Sequence, residues 1–98
     1  MQHPIYKITS VKVIGPYQLE IQFHDKQTKI IDLFPVLAGE MYAPLRDINY
    51  FNQVTIDKEV QTIVWPNGAD FDPAVLYNWE ENKKELLHSK LSSELLRV

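Results

Sequence analysis

The chain has 98 residues, of which 45% are hydrophobic and 23% charged, with a formal net charge of -3 and no cysteine. These values lie near the globular average, so they exclude a disordered chain, a collagen-like repeat and a low-complexity scaffold. The length suits one domain, and the lack of cysteine excludes a disulfide framework, a thiolate zinc site and a cysteine nucleophile.

Composition and the N-terminal sequence favour a cytoplasmic protein. The first residues, Met1-Gln2-His3-Pro4, have neither the basic nor the apolar region of a signal peptide. The longest apolar run is far shorter than the roughly 20 residues that span a bilayer, so no membrane partner is expected. The acidic net charge disfavours nucleic-acid binding, which usually needs a basic surface.

The first third of the sequence predicts a three-stranded antiparallel meander. From Tyr17 to His24 apolar side chains alternate with polar ones, which is typical of a half-buried strand. The preceding stretch, Ile5 to Ile14, is β-branched, but its apolar positions change phase. A β-bulge near Thr9-Ser10 would reconcile them. Short turns then lead into a third strand, from Thr28 to Leu33.

The middle of the chain predicts two short helices and a hairpin. Pro35 to Gly39 is typical of a single helical turn, and Pro44 to Phe51 of a second short helix. Apolar and polar side chains alternate again around Val54-Ile56 and around Ile63-Trp65, which predicts the two strands of the hairpin. The fold class predicted is α+β, with an antiparallel sheet (a three-stranded meander plus a hairpin) packed with short helices and a C-terminal helix.

The C-terminal helix is predicted to begin at Asp72-Pro73, since Asp is a preferred N-cap and Pro suits the first helical position. No breaking residue follows, so we expect the helix to run from Ala74 to Val98. A polar gap near Asn82 interrupts its apolar stripe, and there the helix is expected to leave the domain or bend. We therefore divide the chain into an α+β domain, residues 1–77, and an amphipathic helical extension, residues 78–98.

Several segments, taken in order, resemble a known family. LEIQF is followed by IIDLFPVLAG, PLRD, FNQVTID and TIVWPNGADFDPAVLY. In this order they resemble the bacterial domain of unknown function family 2442, up to Tyr77. The most specific part is the run from Trp65 to Pro73. The chain departs from the family pattern at Lys26 and before Thr62 at Gln61, where glycine is common.

The resemblance implies a small α+β fold without established catalytic residues. It also implies a protein partner, because members often look like the companion of a small protein of domain of unknown function family 4160, in a toxin–antitoxin-like pair. Some longer members carry a helix-turn-helix domain. No such segment lies among these 98 residues, so their DNA-binding role does not carry over.

An oxygen-rich stretch, residues 65–72, is the candidate for a small ligand or a hard cation such as Ca²⁺; we call it the motif loop. Its family-motif residues are Trp65, Pro66, Asn67, Gly68, Asp70 and Asp72. Structural roles also explain them: Asn67-Gly68 as a turn, Asp72 as a helix cap and Asp70 as an acceptor for backbone amides. We assign no metal site and no cofactor, and keep a ligand- or metal-sensing module as the alternative function.

The histidines and aromatic residues do not indicate an enzyme. His3, His24 and His88 lack ligand-like spacing, and no glycine-flanked nucleophile turn is present. The aromatic residues fall at inward strand positions or beside turns, without the arginines of a nucleic-acid stacking surface, so they are predicted to form the core. No catalytic residue is assigned, and the protein is predicted not to be an enzyme.

The C-terminal leucines are the most informative group. Their spacing of three to four residues predicts one apolar face on a helix, with Leu86, Leu87, Leu91 and Leu95 as partner-binding residues. With the α+β core already complete, we expect this face to bind a cognate toxin-like protein, or a second copy in a homodimer. A tail that folds back on the open face of the sheet is the alternative. The predicted function is therefore non-enzymatic protein–protein interaction, as an antitoxin-like partner.

Overall fold

A three-stranded antiparallel sheet and a two-stranded hairpin sheet carry the fold in the computed structural model, which describes residues 6–84. The strands are β1 (Ile8–Gly15), β2 (Gln18–Phe23), β3 (Thr28–Asp32), β4 (Thr55–Asp57) and β5 (Thr62–Val64). β1, β2 and β3 are neighbours in chain order, and β4 pairs with β5. The predicted meander, hairpin and α+β class are confirmed.

The change of phase in β1 is a β-bulge. Ile8 lies opposite Phe23, whereas Ser10 lies opposite Gln22, so Thr9 is the extra residue. The Thr9 hydroxyl donates to the backbone carbonyl of Gln22. The bulge therefore lies where the sequence predicted it, and it lets apolar side chains on both halves of β1 reach one core.

The helices are the 3-10 helices Phe34–Val36 and Ala43–Arg46, and the α-helices α1 (Ile48–Phe51) and α2 (Pro73–Tyr77). The prediction of one continuous helix from Pro44 to Phe51 is wrong. Asp47 separates two helices there, with an extended backbone of φ -72° and ψ 116°. Its carboxylate accepts the backbone N–H groups of Asn49 and Tyr50. Asp47 is thus the N-cap of α1, and this local hydrogen bonding competes with a continuous helix.

The C-terminal helix begins where predicted but bends earlier. The Asp72 carboxylate accepts the N–H of Ala74 and caps α2. Helical geometry stops at Asn78 (φ -103°, ψ 40°), and residues 79–84 are helical again. The expectation of an unbroken helix is therefore wrong, and the bend lies before Asn82. The side-chain amide of Asn78 donates to the carbonyl of Ala74, one of the backbone groups at the helix end.

The core lies between the inner face of the meander, the hairpin and the helices. Leu19, Ile21 and Phe23 of β2 are buried, as their alternation predicted. The aromatic residues that the sequence predicted to form the core do pack in or against it, whereas Phe34 is 50% exposed. Trp79, only 7% exposed, belongs to it although it follows the predicted domain boundary at residue 77, which stays a prediction. Within residues 6–84, no helix is both long and apolar enough to cross a membrane.

Three non-glycine residues among those described have a left-handed backbone, and one of them is Tyr17, with a φ of 59°, in the turn between β1 and β2. Lys26 has a φ of 71° and Gln61 a φ of 56°. Glycine adopts such angles without steric cost, whereas a side chain at Cβ makes them unfavourable. The two positions where the resembling family often has glycine are therefore strained in this chain.

Candidate functional site

The motif loop, which follows β5, is closed by its own hydrogen bonds. The backbone N–H of Gly68 donates to the carbonyl of Trp65, and the N–H of Trp65 donates to Ala69, both at 2.9 Å. Gly68 has a φ of 87°, which the turn requires. The Asn67 side chain donates to the carbonyl of Met41 and accepts from the N–H of Ala69. Asn67-Gly68 therefore makes the predicted turn and also connects it to a distant segment.

Trp65 anchors the motif loop in the core. Its indole N–H donates to the carbonyl of Phe51 at 2.9 Å, and its side chain is only 2% exposed. Its ring centroid lies 5.7 Å from that of Phe51 and 6.0 Å from that of Phe71. The buried hydroxyl of Thr62 donates to the carbonyl of Phe71. These contacts give the loop a structural role in joining β5, α1 and the segment before α2.

The two aspartates of the motif loop have different roles. Asp72 caps α2, whereas Asp70 accepts the hydroxyl of Tyr42 on its backbone carbonyl at 2.7 Å. Burial raises the pKa of Tyr42, and the neighbouring Asp70 carboxylate raises it further. No group of three or more His, Cys, Asp or Glu residues within the described part of the chain could hold a metal ion. Ligand or metal sensing by this loop stays a prediction.

An open groove of about 450 Å³ lies beside β3; we call it the β3 groove. It is lined by Ile30, Asp32, Pro35, Val36, Trp79, Glu80, Lys83 and Lys84. Val36 and Trp79 reach it from the core, since they are 1% and 7% exposed. A smaller cavity of about 170 Å³ also lies between β3 and the residues after α2. The strand and the helical residues 79–84 thus border a groove whose lining residues are half apolar and half charged.

The rim of the β3 groove is charged. Lys83 forms an ion pair with Glu80 at 2.8 Å, and this hydrogen bond lowers the pKa of the Glu80 carboxyl. The Asp32 carboxylate accepts the backbone N–H of Phe34 at 3.0 Å. Lys84, where the described residues end, lies on the same rim. An apolar centre with a polar rim is the usual composition of a protein-binding surface.

Ile30 presents both its side chain and its backbone at the groove. Its side chain is 67% exposed, whereas that of Ile31 is 1% exposed. The backbone N–H of Leu33, just after β3, donates to the backbone carbonyl of Tyr17, just before β2. Leu33 and Tyr17 are therefore a hydrogen-bonded pair. In an antiparallel sheet, hydrogen-bonded pairs alternate with pairs that are not hydrogen-bonded. Ile30 lies opposite Glu20, three positions from Leu33, so this pair is not hydrogen-bonded. The N–H and C=O of Ile30 therefore point away from β2, toward the edge of the sheet at which residues 6–84 place no further strand.

A separate polar cluster fastens α2 to the turn between β2 and β3. The Tyr77 hydroxyl donates to the Asp25 carboxylate at 2.5 Å. This hydrogen bond lowers the pKa of Asp25 and raises the pKa of Tyr77. The Tyr6 ring stacks on Tyr77 at 4.3 Å, and the Lys29 ammonium lies 5.2 Å from the same ring centroid. The cluster holds two elements together across a long stretch of sequence.

The predicted partner-binding residues, Leu86, Leu87, Leu91 and Leu95, lie outside the described residues. The β3 groove was not predicted from the sequence. One signal was available, the adjacent pair Ile30-Ile31. Successive side chains of a strand point to opposite faces, so one member of an apolar pair must leave the core.

The geometry defines a small α+β domain with a core-anchored loop after β5. The chain belongs to the family described as "Protein of unknown function (DUF2442)", whose model matches residues 8–82. The match confirms the family resemblance and extends past Tyr77 into the helical residues that line the β3 groove. No curated protein and no solved structure matches the chain.

Proposed function

We propose that this protein is a non-enzymatic protein–protein interaction protein, an antitoxin-like partner of a small toxin-like protein. The observation that supports the proposal is the β3 groove, an apolar surface with a charged rim beside the exposed Ile30. An exposed apolar side chain at a sheet edge, such as that of Ile30, is stabilised when another polypeptide covers it. The antitoxin-like part of the proposal comes from the family resemblance.

The contact that we propose is made by the C-terminal leucine face, with Leu86, Leu87, Leu91 and Leu95 in the partner's groove. After the polar gap near Asn82, the apolar stripe resumes with Leu87, Leu91 and Leu95, whose spacing of four residues is that of one helix face. Each leucine that becomes fully buried contributes roughly 1.5–3 kcal/mol. Several such residues are enough for a stable complex, with the charged residues around them as its rim.

No catalytic step is part of the proposal. The polar groups of the motif loop make turns, caps and contacts with the core, for example Asn67 with Met41 and Ala69. We further propose a cytoplasmic location, no cofactor, and no direct contact with nucleic acid or membrane.

Substitution of Leu91 tests the proposed contact. The untagged chain is co-expressed with the proteins encoded beside its gene, and the molar mass of the purified species is measured by light scattering. We expect a complex that Leu91→Asp abolishes, because a carboxylate cannot enter an apolar contact without a large desolvation cost. Ser93→Asp is the matched control and should keep the complex, since residues two apart in sequence do not share a face of the predicted helix. Circular dichroism establishes that both variants are folded. An unchanged mass with unchanged partner capture in Leu91→Asp would refute the proposal.

A further inference from the structure

We infer that the β3 groove binds an extended segment of another polypeptide, which adds a strand to the edge of the sheet beside β3. Such binding needs neither the C-terminal leucine face nor a toxin-like partner, so it goes beyond the contact proposed above. The geometry of β3 specifies the conformation of the bound segment, its register and the side chains that suit the groove.

The backbone of β3 offers hydrogen bonds at regular intervals along its outer edge. The N–H of Phe23 donates to the carbonyl of Gln27, so the pair just before β3 is hydrogen-bonded. From this pair onward, every second residue of β3 directs its N–H and C=O groups away from β2. These residues are Thr28, Ile30 and Asp32. Their spacing is the two-residue period of an extended strand, and the pair just after β3 gives the same result.

The opposite edge of the sheet is covered, whereas the edge at β3 faces the groove. In β1, the N–H of Ile8 donates to the carbonyl of Gln61 in the hairpin at 2.9 Å. Within residues 6–84, no strand pairs with the outer side of β3. A helix cannot pair with this edge, because its backbone groups already bond to one another. An extended segment can, since neighbouring strands lie about 4.8 Å apart and exchange main-chain hydrogen bonds.

The side chains around the edge define the chemistry of an antiparallel segment. Its residue opposite Ile31 points to the core face of the sheet, where Trp79 and Val36 line the groove, so an apolar side chain fits there. Its residue opposite Asp32 lies beside a carboxylate, which favours lysine or arginine. Its residue opposite Lys29 is favoured as an acid for the same reason. In chain order the segment is therefore basic, apolar, β-branched and acidic.

A second copy of β3 does not have this chemistry. In an antiparallel pair with Ile30 opposite Ile30, the Lys29 side chain of one copy lies opposite Ile31 of the other. Its ammonium would then enter the apolar part of the groove, at a cost in desolvation, and leave the Tyr77 ring, 5.2 Å away in the structure. The two neighbouring registers oppose two Lys29 ammonium groups or place Ile30 beside the Asp32 carboxylate. Charge therefore favours a different polypeptide.

Capped synthetic peptides test the inference by NMR titration of the full chain. The probe is Ser-Lys-Leu-Val-Glu-Thr-Gly, whose Val is placed opposite Ile30 and whose Leu is placed opposite Ile31. We expect saturable shifts of the backbone amides of Thr28, Ile30 and Asp32, because their N–H groups gain acceptors. The control peptide exchanges Leu and Glu, so that a carboxylate would enter the groove. It should bind at least about tenfold more weakly.

Backbone methylation distinguishes strand addition from other modes of binding. An N-methyl group on the Val of the probe removes the donor that faces the carbonyl of Ile30, and it should weaken binding at least about tenfold. An N-methyl group on the Leu, whose N–H points away from β3, is the matched control and should change binding little. Equal effects of the two methyl groups would overturn the inference. So would an unmodified probe that causes no shifts along β3 at about 1 mM.

A variant of the protein tests the same hydrogen bonds from the other side. Ile30→Pro removes an N–H that takes no part in pairing with β2, so the variant should keep its fold and lose the probe. Ile30→Ala keeps the N–H and should weaken binding less, and equal binding by the two variants would overturn the inference. If Ile30→Pro does not fold, the methylated peptides still decide the question.

Hydrogen exchange of the protein without a peptide is the last measurement. The amide of Ile30 should exchange rapidly, because nothing accepts its N–H until the segment binds. Slow exchange of this amide would overturn the inference, since the edge would then already be paired. None of these experiments uses the leucine face, so a negative result leaves the proposed partner contact to its own test with Leu91→Asp.

Discussion

At Thr62, a single hydroxyl joins β5 to the segment before α2. Thr62 is 4% exposed, and its hydroxyl donates to the carbonyl of Phe71. Thr62→Val keeps the shape but leaves that buried carbonyl without its donor, so we expect a loss of about 1–3 kcal/mol in the free energy of unfolding. Thr55→Val, at an exposed position of β4, is the control and should change stability by at most about 0.5 kcal/mol. Urea denaturation measures both, and equal effects would contradict the role of this hydroxyl.

Backbone strain at Lys26 leads to a prediction of the opposite sign. A left-handed conformation costs a residue with Cβ about 1–2 kcal/mol. Lys26→Gly removes this cost, whereas glycine's greater freedom in the unfolded chain costs roughly 0.5–1 kcal/mol. We therefore expect Lys26→Gly to stabilise the protein by about 0.5–1 kcal/mol.

The control for this substitution is Lys58→Gly, in the turn between β4 and β5. Lys58 does not have a positive φ, so glycine there brings only the entropic cost and should lower stability. Thermal melting of the two variants compares them directly. A loss of stability in Lys26→Gly similar to that in Lys58→Gly would show that the strain is not significant.

At the scale of elements, α2 depends on its contacts because it has only five residues. So short a helix is not stable by itself in water. It is held by the Asp72 cap, by burial of Leu76 and by the hydrogen bond between Tyr77 and Asp25. We expect Tyr77→Phe to lower the melting temperature at pH 7, because it removes the hydrogen bond to the strand turn.

The same hydrogen bond predicts a pH dependence. The folded-state pKa of Asp25 lies below its ordinary value of 3.8. The hydrogen bond therefore stabilises the folded state fully above that pH, and this stabilisation is lost as the pH falls through the lowered pKa. The pKa of Tyr77 lies above its ordinary value of 10.0. The stabilisation by the hydrogen bond is therefore present below that pH and is lost as the pH rises through the raised pKa. The melting-temperature difference between wild type and Tyr77→Phe should therefore shrink at both extremes. Tyr50→Phe is the control, and a difference that is constant with pH would contradict the assignment.

At the scale of the whole molecule, the core extends past the predicted domain boundary. Trp79→Ala should cost about 3–5 kcal/mol, the usual loss for a large buried aromatic side chain. A domain of this size has a total stability of about 5–15 kcal/mol, so the variant should be close to unfolding. Glu80→Ala, whose side chain is 82% exposed, is the control and should change stability by less than about 1 kcal/mol. A neutral Trp79→Ala in urea denaturation would place residue 79 outside the folding unit.

Elements with short-range causes could be predicted from the sequence. The alternation in β2, the bulge at Thr9 and the cap at Asp72 each follow from residues within a few positions. The breaks at Asp47 and Asn78 were not predicted, although both residues favour local hydrogen bonds. At these sites a side-chain bond to the backbone competes closely with helix continuation, and the packing around it decides the outcome.

The candidate site was predictable only in part. The motif loop was recognised, but its connections were not, because Asn67 reaches back to Met41 and Tyr77 to Asp25 across long stretches of sequence. The β3 groove depends on how residues 79–84 lie against β3, and no local pattern specifies that arrangement.

Regular alternation and a capped helix in a chain of 98 residues determined by themselves the α+β class, the meander, the hairpin and the start of α2, but not the breaks at Asp47 and Asn78. Alternation and capping are local, so the order of the residues is enough to specify them. Only the tertiary structure decided that Trp79 completes the core, that Ile30 lies on an edge strand and that both line one groove with Lys84. These features arise from contacts between distant segments, whose relative positions depend on the packing of the whole chain.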